Sequence, residues 1–96
     1  PKYAKDYIDI INNPAYGINR QMIVLLVGKL HIENAIPDLI DLLEDDIVCL
    51  HAIIALGDFK REELRPIFER FSCVNHSGKR NYAKKALKKL GNSMLQ

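Results

Sequence analysis

A glycine followed nine residues later by a proline occurs twice in the chain, as Gly28 with Pro37 and as Gly57 with Pro66. Each pair interrupts a run rich in helix formers, as in HAIIALGDFKREELRPIFERF over residues 51–71. Neither residue suits a helix interior, glycine for its backbone entropy and proline for its missing N–H and its ring. The pair therefore reads as a boundary. Glycine enters the left-handed conformation without steric cost and is expected to end one helix. Proline is expected in the first turn of the next, where its absent N–H has no intrahelical partner to lose. A boundary that recurs at constant spacing restricts the chain to tandem helical hairpins.

The flanking residues repeat as well. With Gly28, Gly57 and Gly91 in register, IVLLVG (23–28), AIIALG (52–57) and ALKKLG (86–91) superimpose. Val24, Ile53 and Leu87 stand four residues before each glycine, and Val27, Leu56 and Leu90 stand one before, which is helical spacing with a wide apolar face. After the prolines, Leu39 matches Phe68 and Leu42 matches Phe71, and YIDIINN (7–13) aligns with LIDLLED (39–45). The spacing predicts helices over residues 3–12, 18–30, 34–44, 47–57, 62–73 and 79–90, with no strand. Asn13, Asp46 and Ser77 are expected to cap helix starts through side-chain acceptors. The stretch Val74 to Lys79 is expected as a loop, and it accounts for a glycine spacing of 29 residues becoming 34.

At 96 residues and 48% hydrophobic, the chain suits one domain over 1–96. Its organisation reads as a half unit 3–12, units 18–44 and 47–73, and a terminal helix 79–90, so that it begins in mid-repeat at Pro1. The longest uncharged apolar stretch, Met22 to Val27, is far short of the roughly 20 residues that span a bilayer, so no membrane is expected. Two cysteines do not make a disulfide framework, and a reducing, cytoplasmic setting is expected. Charge is divided: residues 1–59 hold four basic and nine acidic side chains, whereas residues 60–96 hold ten basic and three acidic ones. Such polarity suits either the orientation of a partner, or of another copy of the chain, through long-range fields or a purely solubilising surface.

The stretch RQMIVLLVGKLHIENAIPDLIDLLEDD (20–46) resembles the HEAT-like repeat family, in the short bacterial form of the phycobilisome lyase HEAT-like repeats. The features that carry the resemblance are Val27-Gly28, Pro37, Leu42-Leu43 and Asp45, repeated at Leu56-Gly57, Pro66 and Phe71, with Ala52 and Ala55 where the family prefers small residues. Arg20 matches the family's usual arginine, eight residues before the glycine, while Cys49 and Ala83 depart from it. The resemblance implies an all-α chain, an α-α superhelix or solenoid of about six helices, in which each unit covers its neighbour's apolar surface. It also implies a scaffold that holds another protein. The HEAT-like hydroxylase that modifies lysine holds iron with His-Glu pairs, but His31 and His51 are followed by Ile32 and Ala52. No enzymatic activity and no cofactor are expected.

Four groups of residues invite a chemical reading. Cys49, His51, Cys73 and His76 are the types that ligate zinc, but Cys49 and His51 are two apart on a helix and point to different sides, so Cys49 is expected as a buried thiol and no metal is expected. In KRNYAKKALKKL (79–90), Lys79, Arg80, Lys84, Lys85, Lys88 and Lys89 form a cluster suited to phosphates, the alternative function being nucleic-acid binding. Tyr82, Ala83, Ala86, Leu87 and Leu90 opposite them equally describe an amphipathic end helix with a wet outer side. The second helices line the concave side of such solenoids. Positions one and four after the proline register are Asp6 and Asp9, Asp38 and Asp41, and Ile67 and Arg70, an acidic strip turning apolar and basic. That strip reads either as a docking surface for a protein segment with basic residues or, equally, as a charged solvated face. Finally, Tyr3, Tyr7, Ile8, Ile10 and Ile11 exceed what one neighbouring helix is expected to cover, so either residues upstream complete that unit or a homodimer forms through the N-terminal helix.

Overall fold

Each apolar stretch around the glycines and prolines forms a helix, and the protein is all-α. The computed structural model describes residues 2–94, with side chains to residue 91; Pro1 and residues 95–96, the ends of the expected domain, lie outside the described residues. The helices are α1 (Ala4–Ile11), α2 (Arg20–Lys29), α3 (Ile36–Leu42), α4 (Cys49–Asp58), α5 (Arg65–Phe71) and α6 (Ser77–Met94). Three short 3-10 segments, Pro14–Asn19, Glu33–Ala35 and Glu62–Leu64, lead into α2, α3 and α5. Pro37 and Pro66 sit second in α3 and α5, where their missing N–H costs nothing. Among the described residues there is no strand, and no helix is long and apolar enough to cross a membrane.

The helices form two layers. α4 packs between α2 and α6, while α1, α3 and α5 lie against α2, α4 and α6 respectively. A molecule 39 × 31 × 16 Å has the thickness of two helices at the usual interaxial distance of about 8–10 Å. The core lies between the layers and includes Ile11, Val24, Val27, Leu39, Ile53, Leu56, Phe68, Phe71 and Leu90, all buried. Each second helix thus rests on the first helix of the following sequence unit, which is why α1 has a partner in α2.

The glycines do not end their helices. Among the described residues the non-glycine ones with positive φ are His31 and Lys60, each with φ of 53° and each three residues after the glycine. His31 N–H donates to the Gly28 carbonyl (3.0 Å) and Ile32 N–H to the Val27 carbonyl (3.1 Å), closing a Schellman turn; Lys60 N–H makes the first of these bonds to Gly57 at 3.4 Å. What Gly28 provides is space: a Cβ there would stand 2.6 Å from Cα of Ala55 in α4. At Gly57 the same atom would meet only the Ala86 methyl, at 3.4 Å, and at Gly91 nothing within 4 Å. Gly91 lies inside α6, which continues to Met94.

These contacts correct the register of α6. α4 meets Gly28 with Ala55, two residues before its own glycine, whereas α6 meets Gly57 with Ala86, five residues before Gly91. The packing therefore puts Lys88 in the place of Gly57 and Arg80 in the place of Arg20. Two expected caps are corrected too. Asn13 accepts from Ala15 N–H (3.0 Å) as expected, but before α4 it is Asp45, not Asp46, whose carboxylate accepts Ile47 N–H (3.0 Å). At α6 the cap is His76, whose Nδ1 accepts Lys79 N–H (3.1 Å), while Ser77 is already helical.

Candidate functional site

The most constrained polar group is Arg20, only 2% exposed. Its guanidinium donates from Nε to the Gly17 carbonyl (3.0 Å), from Nη1 to the Ile11 carbonyl (3.3 Å) and from Nη2 to Asp45 (2.9 Å). One planar fork thus holds the end of α1, the turn before α2 and the turn before α4, and a lysine has no such geometry. The Arg20 guanidinium, with the Ile47 N–H, keeps the Asp45 carboxyl below its ordinary value. Arg80 echoes this, with Nη1 donating to the Val74 carbonyl (3.2 Å) at the end of the preceding turn. The glycine alignment set Ala83 at that position and so missed Arg80. These groups brace the frame and are not free to meet a ligand.

The expected strip residues lie on α1, α3 and α5. Asp6, Asp9 and Asp41 are exposed, and Asp38 is half-buried and accepts from Asn12 Nδ2 at 2.8 Å. Asp9 pairs with Lys5 (3.3 Å), one turn away. Arg70 reaches Glu44 (3.2 Å) and lies over the Phe71 ring, 4.6 Å from its centre. The Asn12–Asp38 and Glu44–Arg70 bonds tie α1 to α3 and α3 to α5 side by side. Ile67 is half-buried against the core and does not extend the strip outward. Glu44 belongs to the same surface, but it lies beyond the proline-based register and was not anticipated.

The basic cluster of α6 is dispersed around the helix. Lys84 and Lys88 are exposed on the side away from the core, whereas Lys79 and Arg80 are half-buried. Lys85 lies over the Tyr82 ring at 5.1 Å, and with Lys89 it borders a groove of about 190 Å³ between α4 and α6, floored by Ile53, Gly57 and Ala86. The six cations therefore do not share one face. At α1, Ile11 is buried, Tyr7, Ile8 and Ile10 are half-buried and Tyr3 is 53% exposed. The layer beneath covers more of that helix than its composition suggests.

A larger groove, about 450 Å³, opens where the starts of three helices meet. Gln21 borders it from α2, Asp46, Ile47, Leu50 and His51 from the start of α4, and His76 and Lys79 from the start of α6. Gln21 Nε2 donates to the Ile47 carbonyl (2.7 Å) and secures one wall. Burial holds the His51 imidazole below its ordinary value, and its Nδ1 is buried without a hydrogen-bond partner among the described residues. Burial pushes the Cys49 thiol up, only partly offset by the nearby Lys79 ammonium, so Cys49 is an inert core group. Cys73 is exposed and unpaired by any disulfide. Among the described residues no group of three or more His, Cys, Asp or Glu side chains is placed to hold a metal ion. Sequence spacing brought attention to His51 and His76 as ligands; it did not indicate that they share a groove with Lys79.

The fold is all-α, with two helical layers, exposed carboxylates on α1 and α3 and a groove at the starts of α2, α4 and α6. Comparison of the chain with protein-family models, curated proteins and solved structures finds no match.

Proposed function

We propose that the protein is a noncatalytic, cytoplasmic interaction module, built as a HEAT-like α-solenoid, whose second helices dock a protein segment carrying basic residues. The observation that carries this reading is the placement of Asp6, Asp9, Asp38 and Asp41 on one layer, with three of the four exposed. Side-by-side bonds between successive second helices keep that surface in register, so a bound segment meets carboxylates already in position, which lowers the ordering cost of binding. The repetition supports the solenoid reading: the left-handed turn recurs at His31 and Lys60, and the proline recurs at the same place in α3 and α5. Nucleic-acid binding through α6 is the weaker reading, because Lys79 and Arg80 are drawn inward and Lys85 rests on Tyr82. Fluorescence anisotropy with a labelled peptide of alternating Lys and Leu tests the proposal. Asp38→Lys with Asp41→Lys is expected to weaken binding by more than tenfold at low salt, as removal and reversal of close charges do. Equal binding by the variant removes this face from consideration.

A further inference from the structure

The groove at the starts of α2, α4 and α6 shares no residue with the acidic positions of α1 and α3 and gathers two histidines and a lysine. His76 Nδ1 already accepts Lys79 N–H, so the proton of its neutral ring is on Nε2. In His51, Nδ1 is buried with no partner among the described residues. An orphan N–H is rarer in protein interiors than an unsatisfied acceptor, which favours the proton on Nε2 of a half-buried ring that lines the groove. His51, His76 and Lys79, whose ammonium also lies near the Cys49 thiol, thus line a single space. The N-terminal ends of α4 and α6 add positive potential there. Ile47, 48% exposed, and Leu50 supply an apolar wall, and Asp46 at the rim is the opposing charge. A volume of about 450 Å³ lies within the roughly 300–1,000 Å³ range of small-molecule sites.

We infer that this groove binds a small organic oxyanion, a phosphate monoester or a carboxylate, with the anion on His51, His76 and Lys79 and an apolar body against Ile47 and Leu50. The site is independent of the partner-docking face, since it shares no residue with it.

Imidazole carbon–proton NMR spectra of the full chain test this directly, because the protein has three histidines and the third, His31, lies at the other end of α2 beside the Phe59 ring (5.9 Å). Phenyl phosphate and benzoate are titrated separately at constant ionic strength and neutral pH, which distinguishes the two anion sources, with benzyl alcohol as the uncharged control. The expected result is saturable shifts of the His51 and His76 signals with one of the anions, none at His31 and none with the alcohol. Lys79→Gln is expected to weaken binding about tenfold, as loss of a charge-assisted bond does. Asp46→Asn, an exposed substitution that leaves the packing alone, is expected to tighten it several-fold. Absence of saturation with both anions, parallel movement of all three histidines, or an affinity unchanged in both variants overturns the inference.

Discussion

The α2–α4 and α4–α6 contacts arise from the same sequence motif and differ in what they do. At the first, Gly28 lets the backbones meet, with no room for even one methyl before Ala55 Cα at 2.6 Å, and the adjacent turns are locked by the buried Arg20 fork. At the second, Gly57 faces the Ala86 methyl at an ordinary 3.4 Å, and a groove of about 190 Å³ rimmed by Lys85 and Lys89 opens beside it. The first contact is a rigid joint and the second leaves surface accessible. One glycine is therefore indispensable and its repeat is replaceable, a distinction that identical letters conceal.

The α2–α4 joint depends most heavily on Arg20. Arg20→Ala removes the largest fully buried side chain and leaves the Gly17 and Ile11 carbonyls without their donor, so a loss of about 3 kcal/mol is expected in urea unfolding. For a domain whose total stability is about 5–15 kcal/mol, that is a large fraction. Arg20→Lys is expected to recover little of it, since an ammonium cannot serve three separated acceptors in one plane.

The glycines sharpen the contrast. Gly28→Ala forces α2 and α4 apart and is expected to cost about 2 kcal/mol, as overpacking does. Gly57→Ala is expected to stay within about 1 kcal/mol of the parent, because the helix-propensity gain offsets a contact that is already ordinary. Paired thermal melts decide the matter; equal losses at both positions would show that the two joints are alike.

Acid acts near the start of α4 through two groups. The Asp45 carboxyl is held low in the folded state, so its contribution is full above the ordinary carboxylate range and is lost as pH falls through the depressed folded value. The His51 imidazole is also held low, so its neutral, buried form stabilises less as pH falls below the ordinary imidazole value of about 6.5. Stability is therefore expected to decline in two steps, the upper removed by His51→Gln and the lower by Asp45→Asn. Urea midpoints measured across the acid range provide the check.

The smallest effects lie where the repeat motif has no packing role. Gly91→Ala, inside α6 with open space around it, is expected to add about 0.5–1 kcal/mol. Lys60→Gly relieves a left-handed non-glycine residue and is expected to add about 0.5 kcal/mol.

Helix number and order were legible because apolar spacing and punctuation are local properties, and Pro37 and Pro66 stand where a missing N–H costs nothing. The glycines were legible as repeated but not as contacts. A helix boundary and a close approach both favour glycine, and only a neighbouring helix distinguishes them. The same reason explains the α6 register, in which Ala86 and Arg80, not the letters around Gly91, follow the packing.

The site divides in a similar way. That Asp6, Asp9, Asp38 and Asp41 would share one layer follows from period and register along the chain. That Ile67 packs against the core and that His51 and His76 line one groove depend on how separate helices are placed. Sequence alone determined an all-α array and the polarity of its charge, because both are sums over local residues. The tertiary structure decided which repeated residue is a joint, which cation is on the surface and where a groove opens, because burial and proximity belong to pairs of helices.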